Sequence, residues 1–149
     1  MIFKRKLYDK MLQWKQQWKG QYALLIEGAR RVGKSTLAET FAKKEYKSYI
    51  LIDFSKTSPQ VNRLFEDMMD LDYFFLSLQG IYKVKLFNRQ SVIVFDEVQN
   101  QPLARQAIKH LVKDGRYDYI ETGSLISIRK NIQNIVIPSE EMKMRLHPM

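Results

Sequence analysis

The stretch Gly28-Ala29-Arg30-Arg31-Val32-Gly33-Lys34-Ser35-Thr36 constrains the fold more than any other part of the chain. It satisfies the pattern G-x-x-x-x-G-K-[ST] and lies between two different periodicities. Before it, Tyr22 to Ile26 reads as a strand; after it, Lys34 to Lys44 places Leu37, Ala38 and Phe41 at helical spacing. A strand that turns sharply into a helix gathers backbone amides inside the turn and aims the positive end of the helix dipole at the same point, which makes a cradle for phosphate. Gly28 and Gly33 are expected to supply the backbone freedom, with Ala29, Arg30, Arg31 and Val32 forming the loop between them. Lys34 would reach the β and γ phosphates, Ser35 would complete the coordination of a Mg²⁺ ion bridging them, and Thr36 would lie near the α phosphate.

A second signal comes about sixty residues later. Ser91 to Phe95 is continuously apolar and β-branched, as a central parallel strand covered on both faces must be. It ends in Asp96 and Glu97, so two carboxylates are expected at the C-terminal edge of the sheet, where open α/β sheets bind ligands. Asp96 would hold Mg²⁺, mainly through bound water, and Glu97 would orient an attacking water. A carboxylate ready to align water favours hydrolysis over transfer to another acceptor. Thr122-Gly123-Ser124 follows a fourth strand, Tyr117 to Glu121, and offers hydroxyls at the same edge. Thr122 is the first choice, and Ser124 the second, for sensing the γ phosphate or positioning water; the tripeptide reads equally as a turn capping the next helix.

The rest of the chain supplies the alternation that these motifs require. Leu7, Met11, Trp14 and Trp18 predict an amphipathic helix ending near Gly20, and Tyr49 to Ile52 a second strand. From Val61 a long helical region carries Leu64, Phe65, Met68 and Met69, extended by Phe74, Phe75 and Leu78 as one core stripe. Pro102 opens a helix that Gly115 ends. Leu125 to Asn131 reads as a short helix or turn, and Ile135 to Ile137 as a fifth strand. Strands joined by helical crossovers imply a doubly wound parallel α/β sheet. The expected organisation is a helix over 1–20 packed on a core over 21–138, with a tail over 139–149 that stops as though a second region should follow.

Composition narrows the chemistry. With no cysteine, thiolate nucleophiles, disulfides and cysteine-held metals are excluded, and His110 and His147 are the only histidines. No apolar run approaches the ~20 residues of a membrane span and no secretory leader is legible, so a cytoplasmic protein with no membrane partner is expected. The net charge of +9, with Lys4, Arg5, Lys6, Lys10, Lys15 and Lys19 in the first twenty residues, reads either as a solvated helix face or as a surface for a polyanion such as DNA. No Asn-Lys-x-Asp guanine-reading motif occurs, which favours ATP over GTP.

GARRVGKST, VIVFDEVQ and YIETGS, in that order, give a chain that resembles the AAA+ branch of P-loop ATPases, in particular bacterial and archaeal AAA-family ATPases that carry a C-terminal domain of unknown function. The resemblance implies a three-layer α/β/α fold with a five-stranded sheet of order 5-1-4-3-2, and Mg²⁺-dependent ATP binding and hydrolysis. Lys34 and Ser35 match its Walker A positions, Asp96 and Glu97 its Walker B, and Thr122 or Ser124 its first sensor. It also implies a homo-oligomer completed by a neighbour's arginine, for which Arg116 and Arg129 are the candidates, a protein or DNA partner, and a helical lid and effector domain beyond Met149. Two alternatives stay open: an interaction module that binds ATP with little turnover, and a DNA-associated P-loop protein.

Overall fold

The computed structural model describes residues 2–18, 20–28, 33–124 and 141–146. At its centre lie β1 (Ala23–Gly28), β3 (Ser91–Asp96) and β4 (Asp118–Ser124), every residue of which is buried. They pair in parallel with each other, and β2 (Ser48–Asp53) and β5 (Glu141–Leu146) close the edges in the order β2-β3-β4-β1-β5. This is the 5-1-4-3-2 order implied by the resemblance. The unbroken apolar runs of β1 and β3 follow from the layering, because neither face of these strands meets water.

Alternate residues feed two cores. Leu24, Ile26, Val92, Val94 and Ile120 face α1 (Ile2–Trp18) and α2 (Lys34–Glu45), which contribute Leu7, Met11, Trp14, Leu37 and Phe41. Trp14 also donates its indole N–H to the Tyr22 carbonyl at 2.9 Å, fastening α1 to the residue that precedes β1. The opposite face, with Leu25, Ile50, Ile93, Phe95 and Tyr119, is covered by α3 (Pro59–Leu64), α4 (Leu71–Tyr82) and α5 (Pro102–Asp114). Phe54, Phe65 and Phe95 meet there edge to face, with centroids 5.5–5.6 Å apart.

The structure corrects several expectations. The helix expected from Val61 is two helices, because local capping interrupts it: Asp67 accepts the Met69 N–H and Asp70 caps α4 by accepting the Tyr73 N–H at 3.1 Å. The proposed stripe therefore splits; Phe65, Phe74, Phe75 and Leu78 are buried, whereas Met69 is 93% exposed. β1 and β4 run further than expected, so Gly28, Thr122 and Ser124 are strand residues and the Thr-Gly-Ser tripeptide is not a turn. The fifth strand is Glu141–Leu146, within the segment read as a tail, and it pairs along all of β1. The Ile135–Ile137 and Leu125–Asn131 segments lie outside the described residues.

Candidate functional site

The two sequence motifs meet at the C-terminal edge of the sheet. Of the two glycines of the motif, Gly28 ends β1 as a strand residue, and Gly33, the N-cap of α2, is left-handed at φ 85° and ψ 21°. Glycine is the residue for that turn because a side chain there would crowd the following carbonyl. The first two residues of α2 are Lys34, 4% exposed, and the half-buried Ser35. Thr36 follows on the exposed side of the helix. Ala29, Arg30, Arg31 and Val32 lie outside the described residues.

Ser35 reaches across to β3. Its hydroxyl donates to Asp96 Oδ1 at 2.6 Å, and the Thr122 hydroxyl donates to the same oxygen at 2.6 Å. Three elements, α2, β3 and β4, are thus tied at one carboxylate oxygen that is itself nearly buried. Hydrogen bonds to an ionised acceptor are the stronger kind, so Asp96 fixes the relative position of the helix start and both strands. Ser124 is also buried, two residues further along β4 and opposite Gly28 in register, so it sits beside the start of the loop and not at Asp96.

Glu97 leaves the strand with φ 55° and ψ 53°, a left-handed conformation that costs a non-glycine residue about 1–2 kcal/mol. Two contacts hold it there. Its backbone N–H donates to Thr122 Oγ1 at 2.9 Å, and its carboxylate accepts from the Gln99 side-chain amide at 3.2 Å. Gln99 lies in the 3₁₀ turn Val98–Asn100 that leads into α5 and is 8% exposed. Sequence reasoning did not give Gln99 a role; an amide side chain two residues after the acidic pair was the available signal.

The same reasoning also passed over three buried charged residues on the α3–α4–α5 side. Glu121 is fully buried and lies in register between Leu25 and Phe95; Arg105 of α5 is 1% exposed and Glu27 of β1 is 6% exposed. Lys143 of β5 pairs with Glu27 at 3.6 Å, linking the edge strand to the residue before Gly28. Arg116, one of the two arginine candidates, lies at the opposite edge of the sheet, before β4, where it pairs with Asp72 at 2.6 Å and Asp114 at 3.2 Å. Arg129 lies outside the described residues.

The donor set fits a hard cation shared with a phosphate ligand. Ser35 Oγ and Asp96 Oδ1 are oxygen donors in contact beside the glycine turn, and among the described residues no group of three or more His, Cys, Asp or Glu gathers into a self-sufficient metal cage. Mg²⁺ is commonly held in this manner, by one or two protein oxygens with phosphates and water completing the shell.

A parallel sheet of this order, with a glycine turn, a buried lysine and a hydroxyl–carboxylate pair at its C-terminal edge, defines a P-loop ATPase core of the AAA+ type. A family model described as an AAA domain matches residues 20–149, and the chain belongs to that family. Among solved structures it is similar to the Aeropyrum pernix ORC2 protein, in ADPNP and ADP complexes, with a TM-score of 0.57 and 15% identity over 97% of this chain and 46% of that one. It is also similar to C. elegans PCH-2, with a TM-score of 0.53 and 13% identity over 100% of this chain and 43% of that one. At these identities the likeness is one of fold, and the chain spans less than half the length of either protein. A sequence search of curated proteins returned no match. No helix among the described residues is long and apolar enough to cross a membrane.

Proposed function

We propose that the chain binds ATP with Mg²⁺ at the Gly28–Thr36 turn and hydrolyses the γ phosphate. The observation that carries this reading is the convergence of Ser35 and Thr122 on Asp96 Oδ1, at 2.6 Å each, beside the buried Lys34 and the constrained Glu97. Gly33 opens the helix so that its first amides face the phosphates, and Lys34 supplies a fixed positive charge there. Ser35 and Asp96 would hold Mg²⁺, whose chemistry when bound is to neutralise charge on the phosphate oxygens. Glu97 orients water and takes its proton as it attacks, while Thr122 holds both carboxylate-bearing residues in register. The ADPNP–ADP complexes of the ORC2 protein support nucleotide as the ligand of this fold.

The test is a paired measurement of ATP binding and phosphate release. Lys34→Ala is expected to abolish binding. Glu97→Gln is expected to bind ATP as wild type does and to release phosphate about 100-fold more slowly. If wild type binds ATP but releases phosphate no faster than Glu97→Gln, hydrolysis fails as a reading and the chain is a nucleotide-binding interaction module. If wild type binds neither ATP nor ADP, both readings fail.

A further inference from the structure

The N-terminal edge of the sheet, opposite Asp96 and the glycine turn, carries a segment whose path is fixed by hydrogen bonds. Residues 85–90 cross that edge from β2 to β4. The Ser48 hydroxyl donates to the Lys85 carbonyl at 2.6 Å, Ser91 Oγ accepts the Phe87 N–H at 2.8 Å, and the Lys47 N–H donates to the Gln90 carbonyl at 2.8 Å. Arg89 carries the segment on to β4: its N–H donates to the Arg116 carbonyl at 2.7 Å, and its guanidinium engages the Gly115 carbonyl and Asp118. The starts of β2 and β3 and the turn before β4 thus hold one stretch of chain in place.

Lysines gather on this frame. The Nζ atoms of Lys47 and Lys85 both lie over the Phe87 ring, 4.1 and 5.5 Å from its centre. Two ammonium groups brought to one ring repel each other, and an anion placed between them relieves that repulsion. Lys43 and Lys44 stand in the last turn of α2, just before Lys47, and Lys15 of α1 sits over the Tyr46 ring at 4.9 Å. Lys43, Lys44, Lys47 and Lys85 are exposed, and among the described residues no ion pair engages any of them. Most acids nearby are already held: Glu45 by the Tyr8 hydroxyl, Asp72 and Asp114 by Arg116, and Asp118 by Arg89 and Tyr46. Asp9 is exposed, but it shares the α1–α2 groove with Lys44 and offsets that residue, leaving Lys47 and Lys85 as the centre of the charge.

We propose that this edge binds the phosphate backbone of nucleic acid, without regard to sequence. The chemistry favours that occupant over a protein or a membrane. Protein interfaces carry an apolar centre, and membrane surfaces are held by inserted apolar side chains as well as by charge. The exposed large hydrophobics among the described residues are Met69, Tyr73, Leu76 and Leu103, and none belongs to this strip. Charge alone suits a ligand that repeats its negative groups along its length, and no base-reading element accompanies the lysines. From β2 to β4 the strip spans two strand spacings, about 10 Å, and the lysines of α1 and α2 widen it, which is room for about three phosphates. β3 runs from Ser91 at this edge to Asp96 at the other, so nucleic acid and nucleotide would occupy opposite ends of one strand without competing.

Fluorescence anisotropy with a labelled, mixed-sequence DNA duplex of about 20 base pairs, without nucleotide, tests the contact. Wild type is expected to bind with a Kd of about 10–100 µM at about 0.02 M salt, with a log–log slope of affinity against salt of about −3. Lys47→Gln combined with Lys85→Gln should weaken binding at least about tenfold and bring the slope to about −1. Lys56→Gln combined with Arg63→Gln removes the same charge from exposed positions after β2 and on α3, and should leave affinity within about threefold. The four side chains are exposed, so both double variants should keep the wild-type melting transition; Lys43→Gln with Lys85→Gln is the second strip variant should the first unfold. A wild-type chain that does not bind the duplex at about 200 µM and this salt overturns the proposal. So does equal weakening by the two double variants, which makes the effect one of net charge. Tighter binding to phosphatidylserine vesicles than to DNA also overturns it and assigns the strip to a membrane surface.

Discussion

The Thr122 hydroxyl donates to Asp96 Oδ1 at 2.6 Å and accepts the Glu97 backbone N–H at 2.9 Å, so one side chain on β4 holds both acidic residues at the end of β3. Because β3 and β4 are adjacent and in register, with Phe95 opposite Glu121, the next position of each strand brings the threonine level with the aspartate. Ser35 adds the helix start to the same oxygen. These shared bonds fix the three side chains relative to one another, which lowers the reorganisation required during reaction.

Thr122→Val keeps the shape of the buried side chain and removes both hydrogen bonds. Stability is expected to fall by about 1–3 kcal/mol, because Asp96 and the Glu97 N–H each lose a partner. Phosphate release should slow by about 10- to 100-fold while ATP affinity changes little, and Thr122→Ser should restore most of both. Urea unfolding beside phosphate-release assays checks this; a Thr122→Val chain with full turnover removes Thr122 from the site.

Glu97 separates function from stability. Its φ of 55° is a strained conformation for any residue with a Cβ, and strain of this kind is retained where a site uses it. Glu97→Gly is expected to be more stable than Glu97→Ala by about 1 kcal/mol, since glycine adopts that backbone without steric penalty, while both variants lose turnover. Thermal melting of Glu97→Gly against Glu97→Ala reads the backbone contribution, and a glycine variant less stable than the alanine variant rejects the strain.

Much of this was legible in the sequence for identifiable reasons. The glycine–lysine pattern fixed a turn between a strand and a helix, and SVIVF fixed a strand covered on both faces, so Ser35 and Asp96 had to meet at one edge. Thr122 could be placed at that edge from chain order alone, but its two hydrogen bonds depend on register, which a single strand pattern does not specify. The break before α4 was missed because Met68 and Met69 continue the apolar count while Asp67 and Asp70, the residues that end one helix and start another, look like surface charges. The edge strand was missed because Glu141–Leu146 alternates charged and apolar residues, a weaker signal than the Ile135–Ile137 run beside it. The left-handed Glu97 has no signature in composition or periodicity.

Alkaline stability should report on the tyrosines. Burial, followed by the charge and hydrogen bond of Asp118, pushes the Tyr46 phenol far above its ordinary value of 10, and burial with a hydrogen bond to Glu39 pushes Tyr49 up to about 12. A group whose ionisation is raised by folding contributes fully below its unfolded value and loses that contribution as pH climbs through the folded one. Stability is thus expected to hold to about pH 10 and then fall, by about 1.4 kcal/mol per pH unit for Tyr46, with a smaller, solvent-screened share from Tyr49. Tyr46 donates to Asp118 at 2.5 Å, so Tyr46→Phe should cost about 1 kcal/mol at pH 8 and flatten the decline above pH 10 by one tyrosine's share. Urea titrations at pH 8, 10 and 11 decide it; equal slopes for the two proteins would exclude Tyr46.

Gln99 is expected to act on turnover through Glu97. Its side-chain amide donates to the Glu97 carboxylate at 3.2 Å from the next turn of chain, and it is 8% exposed, so the amide restrains the carboxylate from a buried position. Gln99→Leu removes that donor and keeps a buried side chain of similar size. If Gln99 positions Glu97, kcat should fall about tenfold while KM for ATP and ATP affinity stay within about twofold, because the interaction serves the attacking water and not the bound nucleotide. Gln99→Asn, whose amide is one methylene shorter, should also fail to restore kcat. A packing role alone would instead lower the melting temperature in proportion to lost volume and leave kcat of the folded fraction at the wild-type value. The measurement that separates the two is kcat normalised to ATP-binding sites, taken well below the melting transition of each variant.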